Sequence, residues 1–169
     1  LHAQLNLNLS QVGLITLAFQ LTASILQPLV GLYTDRHPQP FSLATGMLFT
    51  LGGVVLLSLA HRFAVVLAAA GLIGLGSSIF HPEASRVARL ASGGRHGFAQ
   101  SLFQVGGNAG SALGPLLAAG ILVAGGLSRI AWMAVLPLPC FAILPRVGGW
   151  YRDPLAELKR KPPASHVPA

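Results

Sequence analysis

Five long apolar stretches, separated by short polar or charged segments, account for most of the chain. Gly13 to Thr34 and Phe41 to Ala60 carry no charge, and Phe63 to Phe80 is uncharged up to His81-Pro82-Glu83. Gly97 to Ser128 is the longest run, and Ile130 to Pro145 the weakest. A helix crosses the bilayer core with about 20 apolar residues. The pattern therefore predicts an all-α membrane protein of about five transmembrane helices, over residues 12–34, 41–60, 63–83, 97–124 and 130–147. The last run holds Pro137, Pro139 and Pro145. Each proline removes a backbone donor, and the carbonyls it frees need partners on other helices, so a distorted or re-entrant segment is the alternative there.

Composition agrees with hydrocarbon as the solvent. Of the 169 residues, 9% are charged and 53% hydrophobic, where a soluble domain carries roughly 25% charge. The net charge of +7 points to anionic lipid headgroups rather than nucleic acid, because the basic residues sit in short connections between apolar runs. The lone Cys140 excludes an intramolecular disulfide and a cysteine metal cluster. It reads as a packing residue.

Charge also orients the chain. With the first span running inward, one side holds Arg36, Arg86, Arg89, Arg95, Arg146, Arg152, Lys159, Arg160 and Lys161, and the other only Arg62 and Arg129. The positive-inside rule places the first group in the cytoplasm. Residues 1–11 are then a periplasmic lead-in, residues 12–150 a helix bundle, and residues 151–169 a cytoplasmic tail. Trp150 and Tyr151 would lie at the interface, with disorder expected beyond Lys161. The chain begins with Leu1 and shows no signal peptide. One more helix upstream would return the N-terminus to the cytoplasm.

Polar positions within the apolar runs are not scattered. At about 100° per residue, Thr16, Gln20, Ser24, Gln27 and Gly31 fall within roughly 40° of Gln20. Gln100, Gln104, Asn108 and Ser111 share a face of the fourth run, with Gly106, Gly110 and Gly114 on another flank. Polar groups avoid lipid, so the amide stripes either bond to neighbouring helices or line a solute cavity. Small residues every four positions admit a second backbone. Gly114-Pro115 predicts a bend, structural or hinge-like.

Four acids are present. Asp153 and Glu157 belong to the solvated tail, Asp35 closes the first span, and Glu83 closes the third. Glu83 and Arg86 are spaced to pair on one helical face. Glu83 thus reads either as an interfacial ion pair closing the cytoplasmic end or as a proton carrier, since burial favours the neutral form of an acid. His81 is a relay, a substrate contact or an interfacial histidine. His81 and Glu83 do not make a zinc site, lacking a second histidine at i+4. Ser92-Gly93-Gly94-Arg95-His96-Gly97 lacks the strand and G-K-[ST] ending of a phosphate loop. It reads as a tight turn with Arg95 at the headgroups.

Gly31-Leu32-Tyr33-Thr34-Asp35-Arg36 resembles the G-x-x-x-D-R loop signature of the major facilitator superfamily, and Gly110-x-x-x-Gly114-Pro115 resembles the fifth-helix signature of its drug–proton antiporters. Gln27-Pro28-Leu29-Val30-Gly31, Gly76-Ser77-Ser78-Ile79-Phe80-His81-Pro82-Glu83, Ser85-Arg86-Val87-Ala88-Arg89, Ala91 to Gly97 and Phe103 to Asn108 are similar to the fosmidomycin-resistance efflux family. The resemblance runs to about Arg152. It implies the second through sixth helices of a twelve-helix fold, a partial N-terminal bundle in a bacterial inner membrane. It further implies proton-driven export of a small drug, no cofactor, and Asp35 and Arg36 helping to latch the two halves together. Departures exist. His37-Pro38-Gln39-Pro40 stands where further basic residues usually follow, Ala118-Ala119 replaces a double glycine, and no arginine lies near Ala70. Alternating access needs two bundles rocking about a central site, and five helices supply less than that. Three functions follow: part of an antiporter completed by the missing helices, a transport-inactive remnant or membrane-assembly protein, or a membrane enzyme using His81 and Glu83. The last lacks a convergent catalytic set.

Overall fold

The computed structural model describes residues 7–37, 39–125, 127–135 and 138–160. The described residues are helical: α1 (Leu9–Arg36), α2 (Ser42–Ser58), α3 (Phe63–Ala91), α4 (His96–Gly125), a 3₁₀ segment (Leu127–Val135) and α5 (Leu138–Arg160). The all-α reading holds. By length and apolarity Leu9–Arg36, Phe63–Ala91 and Ala131–Asp153 can cross a membrane, while apolar α2 has 17 residues.

Local chemistry sets several boundaries. Asn8 Oδ1 accepts from the Gln11 backbone at 2.7 Å and the Asn8 N–H donates to Gln11 Oε1 at 2.9 Å. This reciprocal capping satisfies two donors that a helix start leaves orphaned. Beyond α3, Gly93 (φ 57°) and Gly94 (φ 90°) take left-handed conformations that only glycine adopts cheaply. They reverse the chain into α4. The helix that holds the 63–83 span runs on through Pro82 to Ala91, because a single proline costs one bond and the next turns keep their own. α5 likewise continues to Arg160, so residues 151–160, assigned to the tail, are helical. The 3₁₀ segment takes up the start of the 130–147 run, and helix resumes at Leu138. Residues 1–6 of the lead-in, Pro38, Pro137 and the tail from Lys161 lie outside the described residues.

α3 is the central element, packed between α1 and α2. Two glycines set two residues apart, and so about 200° around the helix, make this possible. A Cβ on Gly74 would stand 2.7 Å from the Phe19 carbonyl of α1, and one on Gly76 would stand 2.6 Å from the Gly46 carbonyl of α2. Gly46 and Gly53 return the contact from α2, against Gly76 and Phe80 and against Ala69 and Ile73. Close backbone approach gives dispersion contact without demanding large side chains. Hydroxyls along the seam satisfy themselves on their own helices. Thr22 Oγ1 donates to the Ala18 carbonyl at 2.8 Å, Thr50 Oγ1 to Gly46 at 3.1 Å and Ser78 Oγ to Leu75 at 2.7 Å. At the end of α3 near Arg62, buried Ala60 and Val66 pack with Ile15, Val54, Leu57 and Val65.

α4 stands apart from this trio. Among the described residues, no atom of another element comes within 4 Å of a Cβ placed on Gly106, Gly110 or Gly114. Among the described residues no close approach is made along that ladder, while Gly46, Gly53, Gly74 and Gly76 make one.

Candidate functional site: an acid–arginine network

The end of α1 and the start of α2 meet beside the later turns of α3. α3 brings Glu83 to the same place, one turn past Phe80. Its side chain is fully buried (0% exposed). Ser42, the first residue of α2, donates from Oγ to Glu83 Oε2 at 2.8 Å. Arg86, one turn further along α3, sets Nη1 3.1 Å from Glu83 Oε1. The i, i+3 spacing read from sequence thus gives an ion pair on one helical face. The same Nη1 donates to the Thr34 carbonyl at 3.0 Å, and Nη2 pairs with Asp35 Oδ1. Arg86 is a tie between α1 and α3, and Glu83 a tie between α3 and α2.

The two acids differ in setting. Asp35 is largely exposed and its ion pair faces solvent, where such pairs contribute little. Glu83 has left water altogether, and a buried charge persists only when paired and hydrogen-bonded. Ser42 and Arg86 supply both.

Sequence reasoning placed Asp35, Glu83 and Arg86 here, and it placed two other residues that the structure sets elsewhere. His81 does not join Glu83. Two residues apart on a helix they point about 200° away from each other. The exposed His81 ring lies 3.2 Å from both Ser77 Oγ and the Ser77 carbonyl, edge-on to Phe80. Arg36, paired with Asp35 in the signature, is exposed, and Arg86 occupies the bonding position. Ser42, Thr34 and Tyr151 were missed. A serine opening an apolar run directly after a proline-rich turn was the available signal for Ser42. Nothing in the local pattern marks Tyr151 as a member of the network, and its side chain is buried, 1% exposed.

The stripe on α1 forms one of three faces. Half-buried Ile15, Phe19, Thr22, Leu26 and Val30 turn toward α3. Exposed Leu14, Leu17, Leu21, Ile25, Leu29 and Leu32 form an apolar face on the other side. Thr16, Gln20, Ser24 and Gln27 are exposed between them, about a third of a turn from each. On α4, Gln100 is drawn into packing, its Nε2 donating to Ser85 Oγ at 2.7 Å. Gln104 and Asn108 remain exposed, and Gln104 Nε2 donates to Asn108 Oδ1 at 3.3 Å. Gly31 is half-buried and Pro115 exposed within α4, which runs through it.

Comparison with known proteins agrees with this architecture. The pattern of the Major Facilitator Superfamily matches residues 1–169. The chain is 54% identical over 167 residues to the Fosmidomycin resistance protein of Escherichia coli (strain K12), covering 99% of this chain and 41% of that protein. It is 39% identical over 161 residues to the Uncharacterized MFS-type transporter YfnC of Bacillus subtilis (strain 168), covering 95% of this chain and 39% of that protein. The chain thus spans about two-fifths of the length of these curated relatives. No solved structure matches. Apolar spanning helices, a helix bundle tied by buried glycines and a match along its whole length identify the chain as a member of the Major Facilitator Superfamily of membrane transporters.

Proposed function

We propose that this chain contributes the second through sixth helices of a proton-coupled antiporter in a bacterial inner membrane, exporting small fosmidomycin-like drugs, and that it has no enzymatic role. The observation that carries the reading is the polar face of α1. Thr16, Gln20, Ser24 and Gln27 are exposed beside an apolar face, in a helix whose third side is packed. In a bilayer such a stripe needs water, solute or protein against it. Gln104 and Asn108 on α4 offer a second set of amides of the same kind. The bare glycine flank of α4 supports a further helix from the same transporter as its neighbour.

In this reading the acid–arginine network is the latch at the cytoplasmic end. Asp35 and Arg86 join α1 to α3 through charge, Glu83 joins α2 by accepting from Ser42, and charge is what a proton changes. Protonating Glu83 cancels the charge that attracts Arg86 and weakens the charge-assisted hydrogen bond from Ser42 that ties α2 to α3. Glu83 is therefore the proposed coupling residue, acting by releasing Arg86 rather than by touching the drug. The alternative, an assembly protein or transport-inactive remnant, leaves the polar stripe without a role.

The test is drug tolerance in a fosmidomycin-sensitive bacterium. A gene joining this chain to the remaining helices of its relatives should raise tolerance, and the 169-residue chain alone should not. Gln20→Leu and Gln104→Leu in the joined gene should reduce tolerance at unchanged membrane abundance. Unaltered tolerance in both would remove the cavity assignment. Glu83→Gln should lower proton-driven export, and full export would remove it as the coupling residue.

A further inference from the structure

The network has a fourth side, supplied by α5. Leu144, Gly148 and Tyr151 are its buried residues at this end, spaced i, i+4, i+7 along one helical stripe. Gly148 is seated on the connection between α1 and α2. A Cβ there would lie 2.8 Å from both the Pro40 carbonyl and Phe41 Cδ1. One turn on, the Arg152 guanidinium sits over the Phe41 ring at 5.9 Å. Between these two contacts the Tyr151 hydroxyl borders the Arg86 guanidinium.

Two buried polar atoms in this cluster have no aligned hydrogen bond among the described residues: Tyr151 Oη, and Glu83 Oε1, which Arg86 Nη1 meets at 3.1 Å as an ion pair only. One is a donor and the other an acceptor. Buried polar groups in folded proteins are almost always satisfied, and a small shift of α5 or a single bridging water would satisfy both at once.

We propose that Tyr151 is a positioning residue of the network: its hydroxyl donates to Glu83 Oε1, directly or through one water, and ties α5 to the Glu83–Arg86 pair. The phenol ring also keeps bulk water from the pair, which strengthens the attraction within it. α5 is then held by a polar clasp as well as by packing. The inference rests on the geometry of this chain and goes beyond the transport reading. It stands or falls whether or not the protein exports a drug.

The test follows the docking of α5 in the full 169-residue chain reconstituted in nanodiscs. With Cys140→Ala as background, spin labels at Gln39→Cys and Gly149→Cys report the distance between α5 and the α1–α2 connection. Both positions are exposed. The parent should give one narrow distribution. Tyr151→Phe keeps the ring and its volume, so the chain should still fold. It should raise the longer-distance population about tenfold, the effect of one lost hydrogen bond to a charged partner. In a Glu83→Gln background the same change should add less than about twofold, since coupled residues are not additive. Gly148→Ala, which forces α5 off Pro40 and Phe41, should open the clasp and shows that the labels respond. A silent Tyr151→Phe beside a responsive Gly148→Ala would overturn the proposal, leaving packing alone to hold α5. Full additivity with Glu83→Gln would overturn it equally.

Discussion

Replacing a glycine by alanine should change stability in opposite directions at two sites of this chain. At Gly76 the new Cβ would lie 2.6 Å from the Gly46 carbonyl and from the Thr50 nitrogen, both backbone atoms of α2 that cannot turn aside. Ordinary contact begins near 3.4 Å, so α2 and α3 would have to separate by roughly 0.8 Å, a shift on the scale at which dispersion contact is forfeited. Overpacking of this kind costs about 1–3 kcal/mol, against a gain of about 0.5–1 kcal/mol from removing a mid-helix glycine. The balance runs from about zero to a loss of about 2.5 kcal/mol, and the rigid backbone contact places Gly76 toward the loss. At Gly110 no atom lies within 4 Å, and only the helix-propensity gain of about 0.5–1 kcal/mol remains. Reversible unfolding in mixed micelles, followed by far-ultraviolet circular dichroism, measures both against the parent. Equal destabilisation by Gly76→Ala and Gly110→Ala would refute the reasoning, because it would mean that α4 is as tightly embraced as α3. Joining the chain to the further helices proposed for it should reverse the sign at Gly110 and leave Gly76 as it is.

Four further outcomes follow from the network and the turn. Ser42→Ala removes the hydroxyl that donates to Glu83 and should cost about 1.5–3 kcal/mol, the range for a hydrogen bond to a charged group. Asp35→Asn, at an exposed ion pair, should cost less than about 1 kcal/mol; the same unfolding experiment ranks them, and the reverse order would contradict the burial difference between the two acids. His81→Ala, on an exposed ring bonded only within its own helix among the described residues, should stay within about 0.5 kcal/mol of the parent. Arg95→Cys in a Cys140→Ala background should react with a membrane-impermeant maleimide from the cytoplasmic side of oriented vesicles; labelling from the opposite side would invert the charge-based orientation.

The fold was legible in this sequence to the degree that the bilayer dictates it. Hydrocarbon admits only structures that satisfy every backbone group internally, so apolar runs of spanning length left helices as the reading, and uncharged stretches located them. The site was legible where chemistry is local. Glu83 and Arg86 stand three apart, and their pairing needs nothing but a helix. The network beyond them joins residues some 40 or more positions apart, Ser42 with Glu83 and Asp35 with Arg86, which no helical periodicity encodes. Glycine shows the same division. Sequence spacing drew attention to Gly106, Gly110 and Gly114, because a ladder at four-residue intervals is visible by itself. The glycines at which backbones meet, Gly46 on one helix and Gly76 on another, are single positions whose meaning arises from their juxtaposition. The ladder on α4 remains physically informative for that reason. A helix that gives up three side chains along one flank, with nothing packed against it among the described residues, carries a surface shaped for a neighbour. The amides of Gln104 and Asn108, about a quarter turn or more around the same helix, need an aqueous or protein environment. Two demands on two sides of one helix are met together when α4 stands at the border between a companion helix and a hydrated cavity, and lipid on every side would meet neither.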